Sequence, residues 1–337
     1  MAFVLENPWV SPWVPTIVRE TLGVGHAEIT YERSSAPWTD VERMFTKPPY
    51  KATSRFTNSG EHKIFSATWE NSAREVAADI IQIHGLHDYG TRWADTQWPK
   101  TLVDAGFRLT SPDLIGHGRS SGIHGGFSSI EEQVAVVKDI LLYVVRDLPR
   151  SKSGKVFLLG GSLGGLILLS YSRTYGSVPE LAPDGMVVLC PLVDVAPESR
   201  PGWPVEMVAK TLSWVTPFMP LAEANRGKNA SDIKFEEIFL ADPLTYHGRL
   251  RVGTGLAMLN GFEALQADLE NVKTPFIVIH GDADRATSHE GSINLHERAQ
   301  AADKTLRIVP GQEHDLSREP KSLEILGICV DWLKERL

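Results

Sequence analysis

A serine in a glycine-framed turn constrains the fold of this chain more than any other feature. The turn reads GGSLG at residues 160–164, with Ser162 at its centre, between an apolar run of strand type and an apolar run of helical type. A strand, a G-x-S-x-G turn and a helix in this order are typical of a serine nucleophile held at the top of a sheet. Such a turn strains the backbone of Ser162 and leaves no room for side chains at positions 160 and 164. Because glycine and serine are common, a purely structural turn is the alternative interpretation.

Strands and helices alternate along most of the chain, which predicts a mostly parallel sheet with helices on both faces. The helix expected at 131–148 has apolar residues at spacings of three and four, and Ser128 and Glu131 match a capping box at its start. The fold class is therefore α/β, and the order of the elements fits an α/β-hydrolase sheet. The expected strands are 55–58, 62–69, 78–83, 107–112, 155–159, 186–190, 276–279 and 305–309, and the other helices are 93–105, 163 onwards, 290–302 and 323–337.

The alternation breaks at residues 192–258, a proline-containing stretch that is too long for a simple connection. We expect this stretch to form a cap inserted into the α/β-hydrolase core, which then comprises residues 51–191 and 259–337. Residues 1–50 are rich in proline and tryptophan and predict an irregular N-terminal arm. The tryptophans of the arm either fold back on the body, as we expect, or touch a membrane surface; they are Trp9, Trp13 and Trp38.

Charge and cysteine content exclude several classes of protein. The 337 residues carry a formal net charge of −8 and contain no basic run, which argues against nucleic acid as a partner. The two cysteines, Cys190 and Cys329, lie in apolar segments and predict buried thiols, not a disulfide framework. The first residues lack the basic region of a secretory signal, so a cytoplasmic location is expected. Peripheral contact between the cap and a membrane is left open, as is the oligomeric state.

A serine hydroxyl needs a base within hydrogen-bond reach and an acid that orients this base. His314 is the favoured base, because it lies on a loop between a predicted strand and the last helix. The acid is expected on the loop after strand 276–279, where Asp284 is favoured over Asp282. The backbone amides of Leu86 and Leu163 are expected to form the oxyanion hole. The other histidines after the serine are His247, His280, His289 and His296.

Neither a metal nor a cofactor is expected. His84 and His87 lie close together in the sequence without an evident third metal ligand. The glycine-containing run at residues 113–120 lacks the lysine of a phosphate-binding loop. This run is expected to be a structural loop beside the active site.

From residue 54 to the end, the chain resembles the monoacylglycerol lipase and lysophospholipase-like branch of the α/β-hydrolases. The resemblance implies a triad of Ser162, Asp284 and His314, and it favours Asp284 over Asp282. It also implies that the substrate is a monoglyceride, a lysophospholipid or a phenolic ester, and that the cap covers an acyl tunnel. The segments that carry it are HGLHDYGTRW (84–93), DLIGHGRS (113–120), LLGGSLGG (158–165), ADPL (241–244), TPFIVIHGDADR (274–285) and DKTLRIVPGQEH (303–314).

Three positions depart from the pattern of this branch. Gly161 stands where histidine or glutamate is common, Phe239 where tyrosine is frequent, and Ser317 where a histidine is found. These positions surround the polar alcohol end of the substrate in the lipase. We therefore expect an alcohol end that is less polar than glycerol, or polar in a different way.

The expected substrate-binding residues come from the segment at 84–93, from the serine turn and from the cap. They are Asp88, Arg92, Gly161, Trp214, Phe218 and Phe239. An apolar set in the cap either lines an acyl channel or packs the cap on the sheet; it comprises Trp203, Met207, Leu212, Trp214, Phe218, Met219 and Leu221.

The expected activity is that of a serine hydrolase for small or medium-chain carboxylic esters, acting without a cofactor. The alternatives on the same fold are an amidase, a peptidase, an acyltransferase, or a ligand-binding protein with negligible turnover.

Overall fold

The computed structural model describes residues 33–199, 203–213, 216–222 and 229–337. The strands are β1 (Tyr50–Ser59), β2 (His62–Asn71), β3 (Ala78–Ile83), β4 (Phe107–Pro112), β5 (Val156–Gly161), β6 (Gly185–Leu189), β7 (Pro220–Ala222), β8 (Leu250–Arg251), β9 (Phe276–Gly281) and β10 (Lys304–Val309). The helices are α1 (Trp98–Asp104), α2 (Ile130–Asp147), α3 (Leu163–Tyr175), α4 (Trp203–Ser213), α5 (Ile233–Ala241), α6 (Val252–Ala267), α7 (His289–Arg298) and α8 (Ser322–Lys334). Short 3-10 turns lie at Glu42–Thr46, Arg92–Asp95, Pro197–Ser199 and Leu269–Asn271.

Eight strands form one sheet in the order β1-β2-β4-β3-β5-β6-β9-β10. β2 pairs antiparallel with β1 and β4, and the remaining neighbours pair in parallel. The carboxyl ends of β3, β5, β6, β9 and β10 therefore meet at one edge of the sheet, where α/β proteins bind their ligands. The predicted α/β-hydrolase fold class is confirmed.

Apolar clusters cover both faces of the sheet, as a mostly parallel sheet requires. One cluster packs α2, α3 and α6 against alternate residues such as Ile81 and Leu158. The other packs α1 and α8 against the intervening residues, such as Ile80 and Phe157. Because both faces of the sheet are buried, the loops that can carry functional residues lie at the carboxyl edge of its strands.

The predicted start of one helix is wrong by several residues. The helix expected at 93–105 is split into the turn Arg92–Asp95 and the helix α1. Pro99 lies in the first turn of α1, where its missing N–H needs no partner, so the helix restarts there.

The capping box of α2 is shifted by one residue from the prediction. Ser129 accepts the amide of Glu132 at 3.2 Å, and Glu132 accepts the amide of Ser129 at 3.3 Å. Ser129 has an extended backbone, with φ of −155°, so the helix begins at the buried Ile130. Ser128 and Glu131 therefore do not form the predicted box.

Within 192–258 the structure describes α4, β7, α5, β8 and the first half of α6. β7 and β8 form a small antiparallel pair apart from the main sheet. α6 continues beyond residue 258 to Ala267 as one helix, and the division into a cap and a core stays a prediction. Of the predicted acyl-channel residues, Met207 is 56% exposed, whereas Trp214 lies outside the described residues.

The described part of the N-terminal arm is fixed to the body by buried charges. Trp38 packs edge-on against Phe65, with ring centroids 6.3 Å apart, so it folds back as expected. Glu42 accepts two hydrogen bonds from Arg119, at 2.9 and 2.8 Å, and also bonds the hydroxyl of Thr91. Trp9 and Trp13 lie outside the described residues. The arm thus braces the loop that follows β3.

Substitution of Glu42 by alanine is expected to lower the free energy of unfolding by about 3–5 kcal/mol, because it leaves the buried charge of Arg119 without its carboxylate partner. The matched control is Glu75→Ala, which removes an exposed ion pair with Lys152 (3.1 Å; side chains 69% and 71% exposed). Urea denaturation measures both variants. Equal midpoints for the two variants would contradict the assignment of a bracing role to Glu42.

Candidate active site

Ser162 lies in the sharp turn between β5 and α3. Its backbone has φ of 55° and ψ of −123°, a strained conformation for a residue with a side chain. The turn also requires glycine at position 164, because a Cβ there would lie 2.3 Å from the carbonyl oxygen of Ile83. The elbow geometry that the GGSLG segment predicts is therefore present.

The loop after β3 passes beside Ser162. A Cβ on Gly85 would lie 3.6 Å from the Cβ of Ser162. His84 holds the loop in place, because its Nε2 accepts the amide of Leu114 at 2.9 Å. Burial lowers the pKa of His84 to about 4, so the ring stays neutral at pH 7 and keeps this bond. Leu86, which follows Gly85 in this loop, lines the same cavity as Ser162.

His314 lies on the loop after β10, and it lines the same cavity as Ser162. Its Nδ1 lies 2.7 Å from Oδ2 of Asp284. Burial by itself would raise the pKa of Asp284, but His314 and His280 outweigh burial and hold this pKa far below the usual range. Asp284 is therefore a carboxylate, and Nδ1 of His314 donates to it. For His314, burial would lower the pKa, and Asp284 outweighs it so that the pKa is raised.

The structure separates the two candidate acids. Asp282 accepts the backbone amide of Gly311 at 2.6 Å and thereby links two loops. Asp284 accepts the amides of Ala286 (2.7 Å) and Thr287 (3.0 Å) with its other oxygen, Oδ1. Only Asp284 of the two has a hydrogen bond to His314 among the described residues. Its orientation is fixed by the backbone before any substrate binds.

The other histidines lie elsewhere. His247 bonds within the segment after α5, with Nε2 2.8 Å from the hydroxyl of Thr245. His289 begins α7, and His296 lies in its last turn. His280 is the last residue but one of β9 and is fully buried beside Asp284.

The cavity continues from Ser162 towards the loop after β3 and the helix α5. Its walls combine charged groups with aromatic rings. They include the predicted substrate-binding residues Asp88, Arg92, Gly161 and Phe239, Ser317, which the resemblance places near the alcohol end, and the unpredicted Trp93, Phe235, Asp315 and Arg318.

Arg92 is the most distinctive group of this cavity. It is 3% exposed, and its Nε donates to Asp88 at 2.6 Å. Its guanidinium lies over the rings of Phe235 (4.9 Å) and Phe239 (5.2 Å). Its Nη1 is buried and has no hydrogen-bond partner in the part of the chain that the structure describes. A buried donor without a partner is costly, so the position suits an oxygen of a bound molecule.

Arg318 neighbours Arg92 across the ring of Phe235, 5.1 Å from the ring centroid. It donates to Asp95 through two nitrogens, at 2.8 and 2.7 Å, and to Asp315 at 3.1 Å. Together with Asp88, three carboxylates thus surround two guanidinium groups. The cavity end carries no excess positive charge.

Two predicted substrate residues do not join this group. Among the described residues, Phe218 is not part of the cavity wall, and its carbonyl accepts a bond from Arg251 at 2.5 Å. Trp214 lies outside the residues that the structure describes. The aromatic pair on α5 had a signal in the sequence, because Phe235 and Phe239 are four residues apart and face the same side of a helix.

The family model described as serine aminopeptidase, S33, matches residues 74–321, well over half of the 337 residues. The chain belongs to this family. Members of the family are α/β-hydrolases, and the chain is a serine hydrolase. No helix in the described segments is long and apolar enough to cross a membrane.

Curated relatives of this family member include lipases and an esterase. The human monoglyceride lipase is 28% identical over 275 residues, which cover 80% of this chain and 86% of the lipase. The caffeoylshikimate esterase of Arabidopsis thaliana is 28% identical over 309 residues, covering 88% of this chain and 89% of the esterase. Among solved structures, the monoacylglycerol lipase of Paleococcus ferrophilus aligns with a TM-score of 0.68 and 25% identity over 81% of this chain and 99% of that chain.

Proposed function

We propose that this serine hydrolase cleaves carboxylic esters through an acyl-enzyme on Ser162. The observation that carries the proposal is that the strained Ser162 and His314 line one cavity, with Asp284 bonded to His314 from behind. The ester-cleaving relatives, human monoglyceride lipase and the Arabidopsis caffeoylshikimate esterase, support the same chemistry.

In this proposal, the hydroxyl of Ser162 attacks the ester carbonyl and gives its proton to Nε2 of His314. The carboxylate of Asp284 keeps the proton on Nδ1 and stabilises the imidazolium that forms. The amides of Leu86 and Leu163 donate to the oxyanion of the tetrahedral intermediate. His314 then protonates the leaving alcohol, and a water molecule, deprotonated by His314, releases the acid from Ser162.

The end of the cavity around Arg92 is proposed to bind the alcohol part of the ester. Nη1 of Arg92 offers one donor nitrogen, with two N–H bonds, beside the rings of Phe235 and Phe239. Because the three aspartates already balance the two arginines, an uncharged oxygen is a better partner for Nη1 than a second carboxylate. Ser317 adds no further donor, since its hydroxyl donates to Asp315 at 2.6 Å. We therefore propose an alcohol with one neutral acceptor oxygen next to an apolar or aromatic surface.

Peptide cleavage is the second candidate, because the family description names an aminopeptidase. An aminopeptidase needs a negative group for the ammonium of its substrate. Asp88 pairs with Arg92, and Asp95 and Asp315 pair with Arg318. These three carboxylates are engaged, which favours an uncharged ester over a peptide amine. A fourth acid, Glu236, also lines the cavity, so aminoacyl amides are included in the substrate panel.

Steady-state hydrolysis across a panel of substrates tests the proposed function. The panel combines short to long acyl chains with glycerol, hydroxyalkyl, plain alkyl, aryl and lysophospholipid leaving groups, and adds aminoacyl amides and an acceptor alcohol. We expect ester turnover that disappears in Ser162→Ala, with hydroxyalkyl or aryl esters at least as good as monoglycerides. Turnover of the amides alone, transfer to the alcohol alone, or no turnover of any ester would overturn the proposal.

Replacing Arg92 by methionine is expected to lower kcat/KM for a hydroxyalkyl ester by about 10–100-fold relative to the plain alkyl ester of the same acid. The reason is the loss of the Nη1 donor, which only the hydroxylated alcohol can use. The ratio within one preparation does not depend on how much of the variant is folded. Arg74→Met, at an exposed position, is the control, and an unchanged ratio in Arg92→Met would refute the assignment.

A further inference from the structure

A second histidine contacts the carboxylate of Asp284. His280 is the fifth residue of β9 and is fully buried. Its Nε2 lies 3.1 Å from Oδ2 of Asp284, the oxygen that also receives His314 at 2.7 Å. Its Nδ1 lies 2.7 Å from the hydroxyl of Ser292 on α7. One aspartate oxygen is therefore shared by two imidazole rings.

The hydrogen-bond partners of His280 define its tautomer. Asp284 is a carboxylate and can only accept, so Nε2 of His280 carries a proton and donates to it. Nδ1 then accepts the hydroxyl proton of Ser292. Burial lowers the pKa of His280 more than Asp284 raises it, so this ring stays neutral around pH 7. His280 thus contributes a hydrogen bond but no positive charge.

The remaining groups around this pair do not replace the donor. The hydroxyl of Thr287 lies 2.8 Å from Oδ2 of Asp284, but it has one proton and also lies 3.1 Å from the carbonyl of Cys190. The ring of His289 lies farther off, 6.4 Å from that of His280 between centroids. The thiol of Cys190 also bonds Asp284, but a thiol is a weak donor, and burial raises its pKa so that it stays neutral. The carboxylate of Asp315 acts on His314, whose pKa it raises.

We infer that His280 is a positioning residue that sets the basicity of His314 through Oδ2 of Asp284. The inference rests on the proposed function of the triad. Each donor that Oδ2 accepts reduces the negative charge available to the His314 imidazolium. His280 therefore holds the carboxylate in line and prevents it from raising the pKa of His314 further. A lower His314 pKa keeps the base unprotonated, and the enzyme active, to lower pH.

Two substitutions at position 280 separate this role from simple packing. His280→Leu fills the site without a donor, whereas the amide nitrogen of His280→Gln reaches the place of Nε2. For His280→Leu, we expect the acidic limb of the pH profile of kcat/KM to move up by about one pH unit and the plateau to fall about tenfold. For His280→Gln, we expect the limb of the wild type and most of its rate.

The pKa of His314 can also be measured directly, in a variant that does not turn over substrate. NMR titration of His314 in Ser162→Ala, with and without His280→Leu, is expected to show the same upward shift. Identical titrations and identical acidic limbs in wild type and His280→Leu would overturn the inference, as would equal shifts in the Leu and Gln variants. A wild type without turnover dependent on Ser162 would overturn the proposed function instead, and the NMR titration would still decide the role of His280.

Discussion

Replacing Ser162 by alanine is expected to lower kcat for a preferred ester on the order of a millionfold, if the three residues act as one unit. Alanine removes the only atom that forms a bond to the acyl group in the proposed mechanism, and His314 then has no hydroxyl to activate. The loss is measured from initial rates at high enzyme concentration, with Ser170→Ala as the control. Ser170 lies buried in α3, about two helical turns beyond Ser162, so its hydroxyl is close in sequence but outside the chemistry.

A second variant at the same position separates the effect of backbone strain on stability from the loss of the reactive hydroxyl. Ser162→Gly also lacks the hydroxyl, but glycine adopts φ of 55° at no steric cost. We expect it to be more stable to urea than Ser162→Ala by about 1–3 kcal/mol and equally inactive. Residual ester turnover within a hundredfold of wild type in both variants would remove Ser162 from the mechanism.

Replacing Asp284 by asparagine is expected to lower kcat by about ten-thousandfold. Oδ1 of Asp284 accepts two backbone amides, so the oxygen of the asparagine must take that position. The NH2 group then replaces Oδ2 and points a donor at Nδ1 of His314. The ring is forced into the tautomer with its proton on Nε2, which cannot accept the proton of Ser162.

Asp282→Asn is the matched control for this prediction. It alters a carboxylate two residues away that bonds the amide of Gly311, so we expect turnover within a few-fold of wild type. The initial rates of both variants, compared at equal folded concentration, decide between the two acids. A loss in Asp282→Asn as large as in Asp284→Asn would contradict the assignment.

The sequence alone was sufficient where short patterns determine local structure. β3 and β4 begin and end at the predicted residues, because Gly85 lies just after the first strand and Gly106 just before the second. The turn at Ser162 was predictable because a G-x-S-x-G pattern between a strand and a helix is a local signature, although the clash that requires glycine at 164 is with Ile83 of the neighbouring strand. The same order of strands and loops placed Asp284 and His314 at one edge of the sheet.

Features that depend on distant contacts were not predictable in this way. The unpaired Nη1 of Arg92 arises only when α5 brings Phe235 and Phe239 over the guanidinium. The sequence cannot state this, because it gives no distance between residues 92 and 235. The aromatic side chain of Phe218 suggested a substrate contact, but in the described fold the carbonyl of Phe218 accepts a hydrogen bond from Arg251. The contact of His280 with Asp284 likewise requires the loop to fold back on the end of β9.

The measurement that tests the central claim most directly is a rapid acid quench of the wild-type protein mixed with an activated aryl ester, followed by mass spectrometry. Such an ester acylates faster than it deacylates, so the intermediate accumulates. The account predicts one acyl group per chain, located on the peptide that contains Ser162, and a burst of aryl alcohol of the same stoichiometry. Turnover without an adduct, or an adduct on any other residue, would contradict it.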